Sequence, residues 1–172
     1  MDALRQTVFT LAAVAASLSV VSGSAADGWR FGGRSDGEAN AALFSNNALT
    51  TGSRAIDFHP ILTISCKADR DPVWRQSVRV RDPVSGSDGV DVTVRIDNGG
   101  DRPERWSLGQ KNRALVYDGD GGVARLAGAR LMRITWRIGL FSGDGEAVFS
   151  LAGAADAIAA LATKCGVTPP LR

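Results

Sequence analysis

The C-terminal stretch, residues 146–166, changes from the spacing of a strand to the spacing of a helix, and this limits the folds open to the chain. Apolar side chains alternate with more polar ones over 146–151, which predicts a strand with one face toward a core. Gly153 interrupts the alternation, and apolar residues then recur at helical spacing over 154–165. This predicts a helix with one buried face, which Gly166 closes.

The last apolar position of that helix is Cys165, and the chain has one other cysteine, Cys66. Cys66 ends the strand pattern 61–66, on the same side as the apolar Leu62 and Ile64. Because both cysteines lie on predicted buried faces, we predict a disulfide between the sheet and the terminal helix. In the chain-entropy model, closing a loop of about 100 residues stabilises the fold by about 4–5 kcal/mol. Two buried free thiols or an intermolecular bond are the alternatives.

Residues 1–26 have the composition of an export signal. Arg5 supplies a short positively charged region, an apolar stretch follows over 8–21, and small residues at 24–26 form a cleavage site before Asp27. The apolar stretch is shorter than the roughly 20 residues that a membrane span needs, and a retained N-terminal anchor is the alternative. Together with the two cysteines, this predicts a bacterial protein that is periplasmic or secreted.

Residues 27–172 are predicted to form a single domain of ordinary size within the chain of 172 residues. The formal net charge is only +2, which predicts no bulk attraction to nucleic acid or to an anionic membrane. No segment after the signal is apolar enough to predict membrane insertion once the signal has been cleaved.

Short strand patterns separated by turn signals occupy the rest of this domain. In the clearest of them, Val and Ile alternate with polar residues before the turn signal Asn98-Gly99-Gly100. Each pattern has one apolar and one polar face, which is typical of antiparallel sheets. We therefore predict a mainly β fold, an antiparallel β-sandwich or partly open barrel with one C-terminal α-helix. The predicted strands lie near 29–31, 38–45, 61–66, 73–81, 90–97, 105–108, 114–117, 132–138 and 146–151.

Two of the segments between the strand patterns carry predictions of their own. Residues 46–58 are rich in turn signals and are predicted to form a connection. Residues 123–129 are predicted to form one helical turn or a loop.

The chain offers few groups for catalysis or metal binding. His59 is the single histidine and precedes Pro60 in the predicted connection, so we interpret it as an exposed loop residue. Zinc needs several His or Cys ligands, and the Asp-Gly-rich loop 118–122 lacks the ligand spacing of a calcium-binding EF-hand. We predict no enzymatic activity, no metal and no cofactor. A small envelope hydrolase is the alternative.

Arginines mark the polar side of three predicted strands. They point away from the apolar residues of the same strands, and if these strands are neighbours they form an arginine-rich sheet face. Such a face is suited to docking an acidic partner. The alternative is a solvated face on which arginines pair with carboxylates of neighbouring strands. The residues of this candidate binding face are Arg75, Arg79, Arg81, Arg95, Arg133 and Arg137.

Several short motifs follow one another in a fixed order along the domain. They lie at 62–66, 94–99, 106–108, 147–153 and 157–166, and residues 29–31 precede them. In this order they resemble the VasI-like (TagO-like) family of periplasmic proteins associated with type VI secretion. The resemblance implies an accessory role in secretion and a partner in the envelope or the secretion apparatus. It implies no catalytic residues.

The chain departs from this family at particular positions. Ser65 precedes Cys66 where the family usually has arginine, and Trp106 is followed by Ser-Leu-Gly-Gln rather than by the family's Ser-x-Ser. A weaker similarity, mostly in the closing strand and helix, is to invasion-associated locus B proteins, which are also small exported domains. That similarity implies an envelope or host-interaction role. Both resemblances indicate a protein that acts by binding.

Overall fold

The computed structural model describes residues 28–33, 37–51, 56–71, 73–138 and 143–170. The predicted export signal, residues 1–26, lies outside the described residues. Within the described ranges the chain forms eleven strands and two helices. The strands are β1 Arg30–Gly33, β2 Ala39–Phe44, β3 Leu49–Thr51, β4 Ile56–Phe58, β5 Ile61–Cys66, β6 Trp74–Arg79, β7 Val90–Ile96, β8 Arg102–Gly109, β9 Ala114–Asp118, β10 Leu131–Arg137 and β11 Asp144–Ser150, and the helices are α1 Asp120–Ala124 and α2 Ala154–Cys165.

Nine of these strands form one antiparallel sheet, in the order β1-β2-β5-β6-β9-β8-β7-β10-β11. The prediction of a mainly β, antiparallel fold with a C-terminal helix is confirmed. β3 and β4 form a separate hairpin, in which Leu49 lies opposite Phe58. The prediction of an irregular connection over 46–58 is therefore wrong in part. Each of these two strands has only three residues, too few to show an alternation pattern.

Alternate residues of the strands face one hydrophobic core. In β7, Val90, Val92 and Val94 are buried, and the residues between them face outward. The largest buried side chains include Trp74 and Phe149, which lie far apart in the strand order. Because the inward faces of these strands belong to one hydrophobic cluster, the sheet curves around its own core.

The two ends of the strand order come together without closing into a barrel. In the turn after β2, the Asn46 amide donates to the Val148 carbonyl of β11 at 2.7 Å. The Asn47 side chain donates to the Glu146 carbonyl at 2.8 Å and accepts from the Val148 amide at 2.8 Å. β1 and β11 do not pair with each other within the described residues, so the sheet is partly open.

Helix α2 covers one part of the core and is bonded covalently to the sheet. Ala157, Ile158 and Leu161 are buried, and the helix contacts β2 and β5. A disulfide joins Cys66 at the end of β5 to Cys165 at the end of α2, with Cα atoms 6.3 Å apart. The predicted pairing is therefore confirmed, and disulfides of this kind are typical of exported proteins.

Candidate functional site

The structure separates the predicted arginines into two groups. Arg95 and Arg133 lie directly opposite each other on the neighbouring strands β7 and β10. Arg75 and Arg79 lie on β6, and β9 and β8 separate β6 from β7. The first group is Arg95, Arg133 and Arg137, and the second is Arg75, Arg79 and Arg81.

In the first group, Arg95 and Arg133 are neutralised by acids. Arg95 donates to both carboxylate oxygens of Asp101, at 2.7 and 2.8 Å. Arg133 donates to Glu146 on β11 at 3.1 Å. The hydrogen bond from Arg95 lowers the pKa of Asp101, and the same bond raises the pKa of Arg95, because it stabilises both charged forms. We call these four residues the β7–β10 patch, and in this patch carboxylates accompany both of the opposed guanidinium groups.

Arg75 and Arg79 of the second group border a concave surface of about 570 Å³, which we call the β6 trough. Its floor is a row of small side chains that lie opposite one another on β2, β5, β6 and β9. Longer side chains on the flanking rows, Arg75 and Arg79 among them, form its rim. The difference in side-chain length produces the concavity. The floor residues are Ala42, Thr63, Ser77 and Val116.

The two rim arginines differ in their partners. Arg75 forms an ion pair with Asp118, which lies opposite it on β9. Arg79 is exposed and forms no ion pair within the described part of the chain. Its neighbours across the sheet are Ile61 and Ala114, which carry no charge. Arg79 therefore presents an available guanidinium group at the edge of the trough.

The turn between β8 and β9 closes one end of the trough in an unusual conformation. Gln110, Lys111 and Asn112 have positive φ angles of 51°, 58° and 61°, although none is glycine. The left-handed conformation costs roughly 1–2 kcal/mol per residue, so surrounding contacts must hold the turn. The Val84 amide donates to the Asn112 carbonyl at 2.8 Å, and the Val80 amide donates to the Arg113 carbonyl at 2.9 Å. Gln110 lines the trough as a result.

A polar cluster that was not predicted from the sequence lies beneath the outer surface. Arg125 forms a two-pronged ion pair with Glu104, and both side chains are largely buried. The Trp106 indole donates to Glu104 at 2.8 Å, and Arg125 also donates to the buried Gln76 at 3.3 Å. The Arg125 guanidinium lies 5.3 Å from the ring centre of Tyr117. These contacts join β6, β8 and β9 to the segment after α1.

A second groove, of about 590 Å³, lies beside the turn between β7 and β8. Ile96 and Ala124 line it with apolar surface, and Arg102 and Arg125 also contribute. Arg125 is paired with Glu104. Arg102, the other arginine of this lining, forms no ion pair within the described residues.

The residues considered for catalysis or metal binding lie apart. His59 is exposed, and its Nδ1 donates to the backbone carbonyl of Ser45 at 2.9 Å rather than to a hydroxyl group. Asp118, in the loop considered for calcium, pairs with Arg75. Across the described ranges, no three His, Cys, Asp or Glu residues converge as metal ligands. The same ranges contain no helix long and apolar enough to cross a membrane. The absence of enzymatic activity stays a prediction.

No protein-family model matches the chain, and no curated protein matches it in sequence. The crystal structure of invasion-associated protein B from Bartonella henselae matches it with a TM-score of 0.53 at 12% sequence identity. The match covers 79% of this chain and 92% of that one. At this identity the similarity establishes the fold alone. It agrees with the weaker of the two sequence resemblances, and the resemblance to type VI secretion-associated proteins receives no support from these comparisons.

Proposed function

We propose that this protein is an exported, non-enzymatic domain that binds a protein partner on the β6 trough, with Arg79 as the main charged contact. One observation carries the proposal. Arg79 has no acidic partner in the described part of the chain and lies on the rim of a concave surface. A guanidinium group presents a planar fork of donors that matches a carboxylate. We therefore expect an Asp or Glu side chain of the partner to bind Arg79.

The floor of the trough suits a partner protein whose surface is mixed in character. Thr63 and Ser77 supply hydroxyl groups, and Ala42 and Val116 supply small apolar patches. Protein interfaces that form and dissociate commonly combine polar and apolar area in this way. Because Arg79 is exposed, its contribution to association should weaken as salt screens the charge.

We place the protein in the periplasm or outside the cell. The disulfide between Cys66 and Cys165 supports export. The fold match to a protein named for invasion favours an envelope or host-interaction role. The second proposal is an accessory role in type VI secretion, with a partner in the secretion apparatus. Only the sequence motifs support it.

The test compares two arginines at outward positions of different strands. The disulfide-bonded wild-type protein and the Arg79→Ala and Arg95→Ala variants are used to capture proteins from the envelope fraction of the source bacterium, followed by mass spectrometry. We expect Arg79→Ala to lower recovery of the main partner about tenfold, a loss of about 1.4 kcal/mol in binding. We expect Arg95→Ala to leave recovery unchanged, because Asp101 already occupies that guanidinium group.

Neither substitution should disturb the fold, because both side chains are exposed and leave no cavity. Both variants should melt within a few degrees of the wild type. Added salt should reduce capture by the wild-type protein. Full recovery with Arg79→Ala, or a loss that occurs only with Arg95→Ala, would overturn the proposal.

A further inference from the structure

The two edge strands of the sheet differ in how their outer backbone groups are used. On β11, Asn46 and Asn47 hydrogen-bond to the backbone of Glu146 and Val148. On β1, hydrogen bonds pair the backbone with β2, and no other described residue bonds to it. In an antiparallel sheet, alternate residues of an edge strand turn their N–H and C=O groups away from the neighbouring strand. Among the described residues, β1 is therefore an open edge.

Two exposed aromatic side chains lie at this edge, each beside a cation. Phe31 and Phe44, at 39% and 41% exposure, are the exposed large apolar residues of the described chain. The Lys164 ammonium group lies 5.2 Å from the ring centre of Phe31, and the Arg30 guanidinium lies 4.7 Å from that of Phe44. Neither cation forms an ion pair with a described residue. The edge thus offers apolar surface and available positive charge together.

The β1 edge lies beside the β6 trough. Gly32 lies opposite Asn40, which lines the trough on β2. A Cβ atom at Gly32 would lie 2.8 Å from the Asn40 side-chain oxygen. The Asn40 side chain therefore occupies the space above Gly32, where the edge meets the trough.

We propose that β1 accepts an extended acidic segment of the partner protein by strand addition, which continues the antiparallel sheet beyond its edge. This inference rests on the proposed function as a protein-binding domain and names how the partner docks. Backbone hydrogen bonds to β1 supply affinity, and alternate side chains of the segment lie on opposite faces of the sheet. Acidic side chains then reach Arg30 or Lys164, and apolar ones pack on Phe31 or Phe44.

The charges at the edge favour an acidic segment over a second copy of this chain. Pairing β1 with β1 of another molecule brings two Arg30 and two Lys164 side chains to one edge. Like charges brought together at an interface repel each other and weaken association. β1 contains no acidic residue to compensate them. An acidic segment instead neutralises both cations.

A display library of random peptides, each of about eight residues, tests the proposal on the disulfide-bonded protein. Because Arg30 and Lys164 lie on opposite faces of β1, we expect the enriched peptides to carry Asp or Glu on both faces, beside β-branched or aromatic residues. These peptides should slow hydrogen exchange at the β1 amides. In the Arg30→Glu/Lys164→Glu variant, affinity for these peptides should fall about tenfold or more. The same library should then enrich Lys and Arg instead.

The matched control is Arg102→Glu/Arg130→Glu, which changes the net charge equally at exposed positions away from β1. It should leave peptide affinity unchanged. Failure to enrich any peptide, or enriched peptides that protect amides elsewhere, would overturn strand addition. Capture that depends on Arg79 would still support the proposed function in that case. Protection of the β1 amides that rises with protein concentration alone would identify a second copy as the occupant, and this too would overturn the inference.

Discussion

The β6 trough and the β7–β10 patch carry the same residue type at equivalent outward positions, but they differ in the charge that they offer. In the patch, Arg95 reaches Asp101 just before β8, and Arg133 reaches Glu146 on β11. Both guanidinium groups are therefore already bound to carboxylates. A partner's carboxylate would have to displace an existing ion pair to bind here. This half of the outer surface is therefore better suited to contact with solvent.

Arg79 has no carboxylate beside it, because of the register in which β6 pairs with β5 and β9. It lies opposite Ile61 of β5 and Ala114 of β9, and neither neighbour can neutralise it. On the same strand, Arg75 lies opposite Asp118 and is paired. The neighbours that strand pairing places beside an arginine, rather than the arginine itself, decide whether its charge is available to a partner.

The largest effect on stability should come from breaking the buried ion pair between Glu104 and Arg125. The exposed pairs of the β7–β10 patch should add much less. In Glu104→Ala, the largely buried Arg125 loses its carboxylate and the Trp106 indole loses its acceptor. Removing one partner of a buried pair typically costs several kcal/mol, and we expect a loss of about 3 kcal/mol in the free energy of unfolding. Urea denaturation measures this loss.

The control for that variant is Asp101→Ala, which removes the exposed partner of Arg95 in the patch. Its free energy of unfolding should match the wild type within the error of the measurement, since exposed pairs add little stability. Equal losses in the two variants would show that the patch is structural and would break the comparison between the two outer surfaces.

A smaller effect is the titration of Asp101. The hydrogen bond from Arg95 lowers the pKa of Asp101 in the folded chain. A carboxyl with a lowered folded pKa stabilises the fold above its unfolded pKa, about 3.9, and loses that contribution as pH falls through the folded pKa. Carbon NMR of the Asp101 carboxyl should therefore give a midpoint below the ordinary value. In Arg95→Ala the midpoint should rise; an unchanged midpoint would contradict the pairing.

The strands and their faces were predictable from the sequence because alternation is local information. The period of two placed Arg79, Arg95 and Arg133 outward, and the structure agrees. The disulfide was predictable because Cys66 and Cys165 each end an apolar face. The strand order was not predictable, because it depends on pairings between distant segments. That order places β9, rather than β7, beside β6 and so divides the arginines.

The Glu104–Arg125 pair was missed for a related reason. Arg125 follows a short helical turn without a strand pattern, and nothing local points to Glu104. One signal was present in the sequence: Gln76 is a polar residue at an inward position between Trp74 and Val78. A buried polar side chain needs partners, so it indicates a polar cluster without naming the other members.

The most direct test of the account asks which outer surface touches the partner in the cell. Ser77, on the floor of the trough, and Thr135, beside the patch, are both half-buried outward positions on inner strands of the sheet. Each is replaced in turn by a photoreactive amino acid, and the cells are irradiated. We predict that the protein labelled at Ser77 crosslinks to a discrete partner and that the protein labelled at Thr135 does not. A crosslink from Thr135 with none from Ser77 would contradict the account.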